Sequence, residues 1–536
     1  MAFSPVTAAY RTPGVYVEFQ DANPQYLDVG RSDIAGFLGM AERGPLHRAL
    51  KIESQRQFLS AYGRASAQWY LADAINGFFA NGGRTCWIVR VADPATATRA
   101  ELRVQITGVQ PVILRASTPG TWGNAVTIAP LVENGEVTGV EARTADGLTQ
   151  TVLVAELEWP YDPDAAPRTN ALGVPDFQLK DVAQPDFVRV IADNPALPLV
   201  AMDAGTPPVR LSGGANGLAA LQPKHFSGDP NGQARWGIDA LARAPGVSFV
   251  AAPDLVYAAP NTLPPQEFFG FGDPNAIAAA QVAIVANCIG NGNRLALLDP
   301  PRGTRQDMLV HRERLPSSSC AAVYYPWLLV DDQNAPPGTV KLLPPSGHVA
   351  GMFARVDRLR GVHKPPANEV LEGVWDLADG LDAAAHGVFN DLQINAIRMI
   401  AARGALVLGT RTLADDAQWR YVNVRRLFSM VESALEQQMQ WVTFESNNPR
   451  LWREIDRSIR GFLERLFRAG MLDGTSSDDA YFIKCDDSTN PPADIDSGRV
   501  LCLIGLQPPY PAEFVVVRVG ITRNGIQVQE KGAQDV

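Results

Sequence analysis

Cysteine is sparse in this chain: five in 536 residues, at 86, 288, 320, 485 and 502, never spaced as C-x-x-C. An odd, scattered set gives neither a disulfide framework nor a zinc site, and points to folding in a reducing compartment. Histidine is as sparse, with six at 47, 225, 311, 348, 363 and 386. None are paired at i, i+4, so no helical histidine metal motif is present. Lysine accounts for seven of the 47 basic residues and arginine for the rest. Genome composition explains that bias, and so does a need for bidentate carboxylate pairing at interfaces. Apolar runs are short: Val282 to Gly290 falls far below the ~20 residues of a membrane-spanning helix. The opening MAFSPVTAAYRTPG lacks a charged start followed by an apolar run and does not read as a signal peptide. No G-x-x-x-x-G-K-[ST] loop occurs, so no P-loop nucleotide site is expected.

What is present is ordinary globular material, with 46% hydrophobic and 19% charged residues. That is enough to offset chain entropy, and the length implies several domains. A net charge of −10 argues against general nucleic-acid or anionic-membrane binding. Along the chain, Val15–Phe19 reads as a strand behind a small, polar tip. Asp33–Met40 and Cys86–Val91 read as strands, with a helix over Trp69–Ala80 between them. Residues 97–205 change to short alternating runs such as Leu102–Ile106 and Thr149–Leu157, a β-rich pattern. Residues 206–372 return to strands alternating with helices, among them Val247–Pro253 and Asn275–Asn287. The last third is helical: Asp391–Arg403 closed by Gly404, Val424–Val442, and a helix capped by Asn448-Pro449 that runs to Ala469. Strands over Val500–Leu506, Phe514–Ile521 and a last piece after Asn524-Gly525 follow.

Gly347-His348-Val349-Ala350-Gly351 resembles the surroundings of the catalytic histidine in subtilisin-like proteases, and Gly474-Thr475-Ser476 those of their nucleophile. Such an enzyme needs an aspartate orienting the histidine and a supported serine. No convincing aspartate motif precedes His348, and Ser476 is followed by Ser-Asp-Asp, so no catalytic residue is assigned. Asp486, Asp487, Asp494 and Asp496 miss the EF-hand spacing and read as a solvated loop. No metal and no cofactor is expected.

Two features rise above this background. Strand sequences sit at both ends of the chain: Val15, Tyr16, Val17, Glu18 and Phe19 near the start, and Val515, Val517, Val519, Ile526 and Val528 near the finish. Such strands fold back onto their own sheet or add to a neighbour's exposed edge. The second feature is the helix after Pro449. Trp452, Ile455, Ile459, Phe462, Leu463 and Leu466 form an apolar stripe. Arg450, Arg453, Arg457, Arg460, Glu464 and Arg468 recur at i+3/i+4 on the opposite face. That face is either solvated or docked on an acidic partner.

Taken in order, several segments resemble the contractile tail sheath proteins of bacteriophages and related contractile injection systems. They are Thr12-Pro-Gly-Val-Tyr-Val-Glu18, Phe78-Phe79-Ala-Asn-Gly-Gly83, Gly409-Thr-Arg-Thr-Leu413, Arg420-Tyr-Val-Asn-Val-Arg-Arg426, Phe444-Glu-Ser-Asn447 and Pro511-Ala-Glu-Phe514. Phe19 stands where a second glutamate is common in that family. The resemblance implies a mixed α/β (α+β) multidomain chain that is not an enzyme. Its parts would be an N-terminal arm over 1–22, a first part of the sheath core over 23–96, an inserted β-rich outer domain over 97–205, a non-catalytic subtilisin-like α/β domain over 206–372, the C-terminal sheath core with a tube-facing helix over 373–512, and C-terminal strands over 513–536. It further implies a helical homopolymer around an inner tube protein, with baseplate and terminator or cap proteins as further partners, no nucleic acid and no membrane insertion. Such a particle is assembled in the bacterial cytoplasm, and its sheath contracts from a metastable extended state. A subtilisin-like hydrolase and a non-contractile capsid or surface-layer polymer are the alternatives.

Overall fold

Short apolar runs bounded by turn residues become the strands of one large sheet in the computed structural model. It describes residues 30–66, 69–153, 187–191, 193–228, 235–256, 273–291, 294–333, 335–513, 518–522 and 525–529. Nine strands pair in this sheet: β1 (Ile34–Gly39), β2 (Ala49–Ile52), β3 (Cys86–Arg90), β4 (Val247–Ala251), β5 (Leu295–Leu298), β6 (Ala321–Tyr325), β7 (Glu369–Val370), β8 (Ile394–Ile400) and β9 (Gly404–Val407). Their order is β7-β9-β8-β6-β5-β4-β1-β3-β2. The six central strands run parallel, and β2, β7 and β9 join antiparallel at the margins.

Parallel strands need both faces covered, so they read as continuous apolar runs with alternate residues serving two cores. Phe37, Phe249, Leu297 and Tyr324 point into one core, which includes α1 (Leu71–Ala80) and α3 (Ser346–Arg360). Leu38, Val250, Ala296 and Val323 point into the other, which includes α2 (Pro274–Gly290). The sheet takes strands from 23–96, from 206–372 and from 373–512. The middle α/β stretch therefore shares its sheet with the flanking segments and is not a unit inserted between them.

The described residues between 97 and 216 form a β-rich structure of two four-stranded sheets and one two-stranded sheet with their own core, in which Val104, Leu114, Ile128 and Val140 are fully buried. It is tied to the large sheet by the Arg43–Asp146 ion pair at 2.9 Å. Buried Arg90, at the end of β3, also donates to the carbonyls of Gly44 (2.9 Å) and Pro119 (2.7 Å).

The expected helix over Asp391–Arg403 is a strand instead. The preceding helix, Ala383–Asp391, stops where Gln393 takes φ 60°, and Ile394–Ile400 then pairs parallel to β6. Ile394 and Ile397 suit a three-residue period, but β-branched side chains and an open sheet edge favour the extended form. Gly404, at φ 87°, turns the chain into β9 and does not cap a helix.

The last part forms a second body around α4 (Val422–Gln438) and α5 (Pro449–Arg468), whose apolar faces share a core with Leu427, Met430, Trp452, Ile459 and Phe462. Arg426 at the start of α4 locks it to the large sheet. Its guanidinium pairs with buried Asp357 of α3 (2.8 Å), donates to the Ser32 carbonyl (2.8 Å), and lies over the Phe249 and Phe353 rings.

Candidate functional site

The helix α5 starts where the sequence expects. The Asn448 side chain accepts from the N–H groups of Arg450 (2.9 Å) and Leu451 (3.1 Å), with Pro449 at the first helical position. Leu451, Trp452, Ile455, Ile459, Phe462, Leu463 and Leu466 are buried. Arg450, Arg453, Arg457, Arg460 and Arg468 are exposed on the other side, with Glu464 half-buried among them.

Like charges on that face are relieved from within. Three i, i+4 ion pairs form: Arg450–Glu454 (3.1 Å), Arg460–Asp456 (3.1 Å) and Arg468–Glu464 (2.8 Å). The Arg468 bond, with a second from the Tyr481 hydroxyl (3.0 Å), holds the Glu464 carboxyl below its ordinary range. Arg453 and Arg457 have no ion pair among the described residues, and they sit at the centre of the stripe. The helix as a whole carries six arginines against three carboxylates, on a chain of net charge −10. Gly461 lies on the same exposed strip with open space beside it. A glycine inside a helix costs about 0.5–1 kcal/mol relative to alanine, so this strip is not optimised for the isolated helix.

Just before α5 lies Phe444, the first residue of the Phe444-Glu-Ser-Asn447 segment. Phe444 is 103% exposed and has φ 70°, a left-handed conformation that a bulky side chain rarely adopts. Neighbouring Asn447 is well anchored: it accepts from Trp452 Nε1 (2.8 Å) and donates to the Arg499 carbonyl (2.9 Å). Nothing in the one-dimensional pattern distinguishes an exposed phenylalanine here from a core one.

Against α5 packs a two-stranded ribbon, β10 (Tyr481–Lys484) and β11 (Leu503–Leu506). The strand expected over Val500–Leu506 is β11, whereas β10 is not expected from the sequence, where the short aromatic and β-branched run YFIK is its signal. Tyr481, Ile483, Ile504 and Leu506 face the core; Phe482 (60% exposed) and Leu503 (45%) face outward. Gly505 lies beneath the Phe482 ring, with no room for a side chain. Among the described residues no third strand pairs with either edge of this ribbon. An open, apolar ribbon is a template for strand addition.

Of the terminal strand residues, Val15, Tyr16, Val17, Glu18, Phe19, Val515 and Val517 lie outside the described residues. Val519 lies in β12 (Arg518–Thr522), and Ile526 and Val528 lie in β13 (Gly525–Gln529); these two strands pair antiparallel and, among the described residues, join no other sheet. A lone two-stranded hairpin is marginally stable in water, so it gains by joining a larger sheet.

The protease-like residues serve packing. Gly347 and Gly351 let α3 cross α1 so closely that added Cβ atoms would strike the backbone of Ala74 and Phe78. His348 is buried against Gly77, its Nδ1 has no partner among the described residues, and burial pushes its imidazole down to about 4. Ser476 instead caps a short helix, paired with the Asp479 carboxylate. At the C-terminal ends of β4 and β5, buried Asp254 accepts from the Met40 N–H (2.6 Å) and Asp299 from the Ser346 N–H (2.9 Å).

Comparison with known proteins fits this geometry. Residues 414–522, which hold α4, α5 and β10–β11, match the phage tail sheath C-terminal domain family. A putative prophage major tail sheath protein of Pseudomonas aeruginosa is 23% identical over 253 residues, 46% of this chain and 63% of that protein. The tail sheath protein of Salmonella phage ViI is 24% identical over 200 residues, 36% of this chain and 30% of the relative. The chain thus spans less than two thirds of these relatives. The sheath chain of an extracellular contractile injection system (PVC), in its contracted state, superposes with a TM-score of 0.55 at 20% identity, covering 97% of this chain and 99% of the other. A sheath tail protein of Desulfitobacterium hafniense gives 0.57 at 14% identity, covering 88% and 94%. The resemblance read from the sequence therefore holds, and the mixed α/β fold is that of contractile sheath proteins.

Proposed function

We propose that this tail sheath family chain is the repeating subunit of a contractile sheath, built by exchanging terminal strands between copies around an inner tube. The open ribbon β10–β11 carries this reading. Among the described residues both of its edges are unpaired, while the two ends of the chain carry sequences that read as strands. Each strand added to such an edge forms several backbone hydrogen bonds, each contributing about 0.5–1.5 kcal/mol net. One link is weak, but repeated links keep a lattice connected as its spacing changes, and a repeated non-closing contact builds a helix rather than a ring.

The exposed stripe Arg450, Arg453, Arg457, Arg460, Glu464 and Arg468 is the face toward the inner tube, which is acidic where it meets Arg453 and Arg457. Phe444 is the apolar anchor beside it. The β-rich module at 97–205 projects outward from the lattice. The extended form is metastable: contraction exchanges tube contacts for contacts between subunits, so the stored energy is conformational and needs no nucleotide. Baseplate and terminator or cap proteins bind the ends of the polymer, which assembles in the bacterial cytoplasm.

Deleting residues 1–20 tests the exchange. The expected product is a folded subunit that forms no tubes in electron micrographs; tubes at the yield of the full chain would refute it. The hydrolase alternative loses its support from Ser476 and His348, since each is committed to a packing or capping role.

A further inference from the structure

Beyond its last ladder pair, Lys484–Leu503, the β10–β11 ribbon continues into Cys485 and Cys502. The antiparallel register sets these two residues directly opposite each other. Opposed Cα atoms in such a ladder are about 4.5 or 5.5 Å apart. Both spacings fall inside the window of about 4.4–6.8 Å that a disulfide spans. The two thiols are close enough that each shifts the titration of the other. The neck is held on its far side by buried Asn490, which donates to the carbonyls of Asp486 (3.1 Å) and Leu501 (3.0 Å) and accepts from the Leu501 N–H (2.7 Å). Cys485 is buried against the α5 core, whereas Cys502 is partly exposed. The other three cysteines, Cys86, Cys288 and Cys320, lie in the cores of the large sheet.

We propose that Cys485 and Cys502 are a reversible dithiol–disulfide pair, oxidised by a small-molecule disulfide such as oxidised glutathione. The Cys502 thiolate attacks one sulfur of the glutathione disulfide and expels one glutathione thiolate. The Cys485 thiolate then attacks the Cys502 sulfur of the mixed disulfide and expels the second glutathione. The protein loses two protons and two electrons, and two molecules of reduced glutathione carry them away. Burial, together with the adjacent thiol, pushes Cys502 up to about 12, and burial raises Cys485 against a lowering contribution from Cys502. The thiolate is therefore scarce at neutral pH, and the exchange accelerates about tenfold per pH unit. The staple closes the loop from 485 to 502 on the ribbon described above; the redox chemistry itself does not depend on the strand-exchange reading.

The test uses the full chain, incubated natively with oxidised glutathione at about pH 8.5 and then denatured for thiol titration. The expected result is a fall from five free thiols to three, an intact mass lower by two hydrogens, and a peptide linking Cys485 to Cys502, all reversed by dithiothreitol. The Cys485→Ser variant is expected to stall with glutathione on Cys502. Retention of all five thiols in the native chain, a glutathione adduct that persists on wild-type Cys502, or a link to any other cysteine would each overturn the proposal.

Discussion

Reversing Arg453 and Arg457 to glutamate separates tube docking from subunit stability. Both side chains are exposed and lack ion pairs among the described residues, so the reversal breaks no internal contact. Its local cost is like-charge proximity to Glu454 and Asp456, about 0.2–0.5 kcal/mol for each pair at helical spacing. The isolated subunit therefore loses no more than about 1 kcal/mol. At the docking face each exposed pair contributes about 0.2–1 kcal/mol, and reversal replaces attraction with a comparable repulsion. Two residues change the tube-bound state by about 1–4 kcal/mol per subunit, and the loss recurs in every copy along the sheath. The assay pairs denaturant unfolding of the purified subunit with electron microscopy of particles assembled with the tube. The expected outcome is near-normal unfolding, few extended particles and a preserved contracted form. Arg460→Glu is the informative companion, because it also breaks the pair with Asp456. Extended particles at the wild-type yield, with both arginines reversed, would refute the assignment of this face. High salt is expected to weaken the wild-type extended form in the same direction.

Phe444→Gly relieves the left-handed φ of 70° and removes no buried contact. It is expected to leave unfolding unchanged or raise stability by about 1 kcal/mol, while lowering the yield of extended particles. Arg426→Met strands the buried Asp357 carboxylate and is expected to cost about 3–5 kcal/mol in denaturant unfolding, with Asp357→Leu in the same chain recovering most of it. His348 has its folded pKa depressed from 6.5 to about 4, so its contribution is complete above 6.5 and disappears as pH falls toward 4. His348→Gln removes that dependence. The stability difference between wild type and variant is expected to shrink by about 1.4 kcal/mol per pH unit across that window. Opposing carboxylates such as Asp299 are common to both chains and cancel in the comparison.

Much of the last body was legible in the sequence because its signals are local. Asn448-Pro449 caps α5, and the 3.6-residue period separates Trp452 and Phe462 from Arg453 and Arg457 without any reference to the rest of the chain. The strands β1, β4, β5 and β6 were legible for the same reason, since runs buried on both faces stand out as unbroken apolar segments. What tertiary structure alone decided is which runs become neighbours. Residues near 35, 250, 322 and 396 meet in one sheet, and that pairing turned Ile394–Ile400 from an apparent helix into a strand. It also assigned the glycines around His348 to a helix crossing, and set Cys485 opposite Cys502 across a ladder whose first strand is short and easily overlooked. Amphipathic period and capping are properties of consecutive residues; sheet order, close approach and the exposure of Phe444 depend on what the remainder of the chain brings alongside.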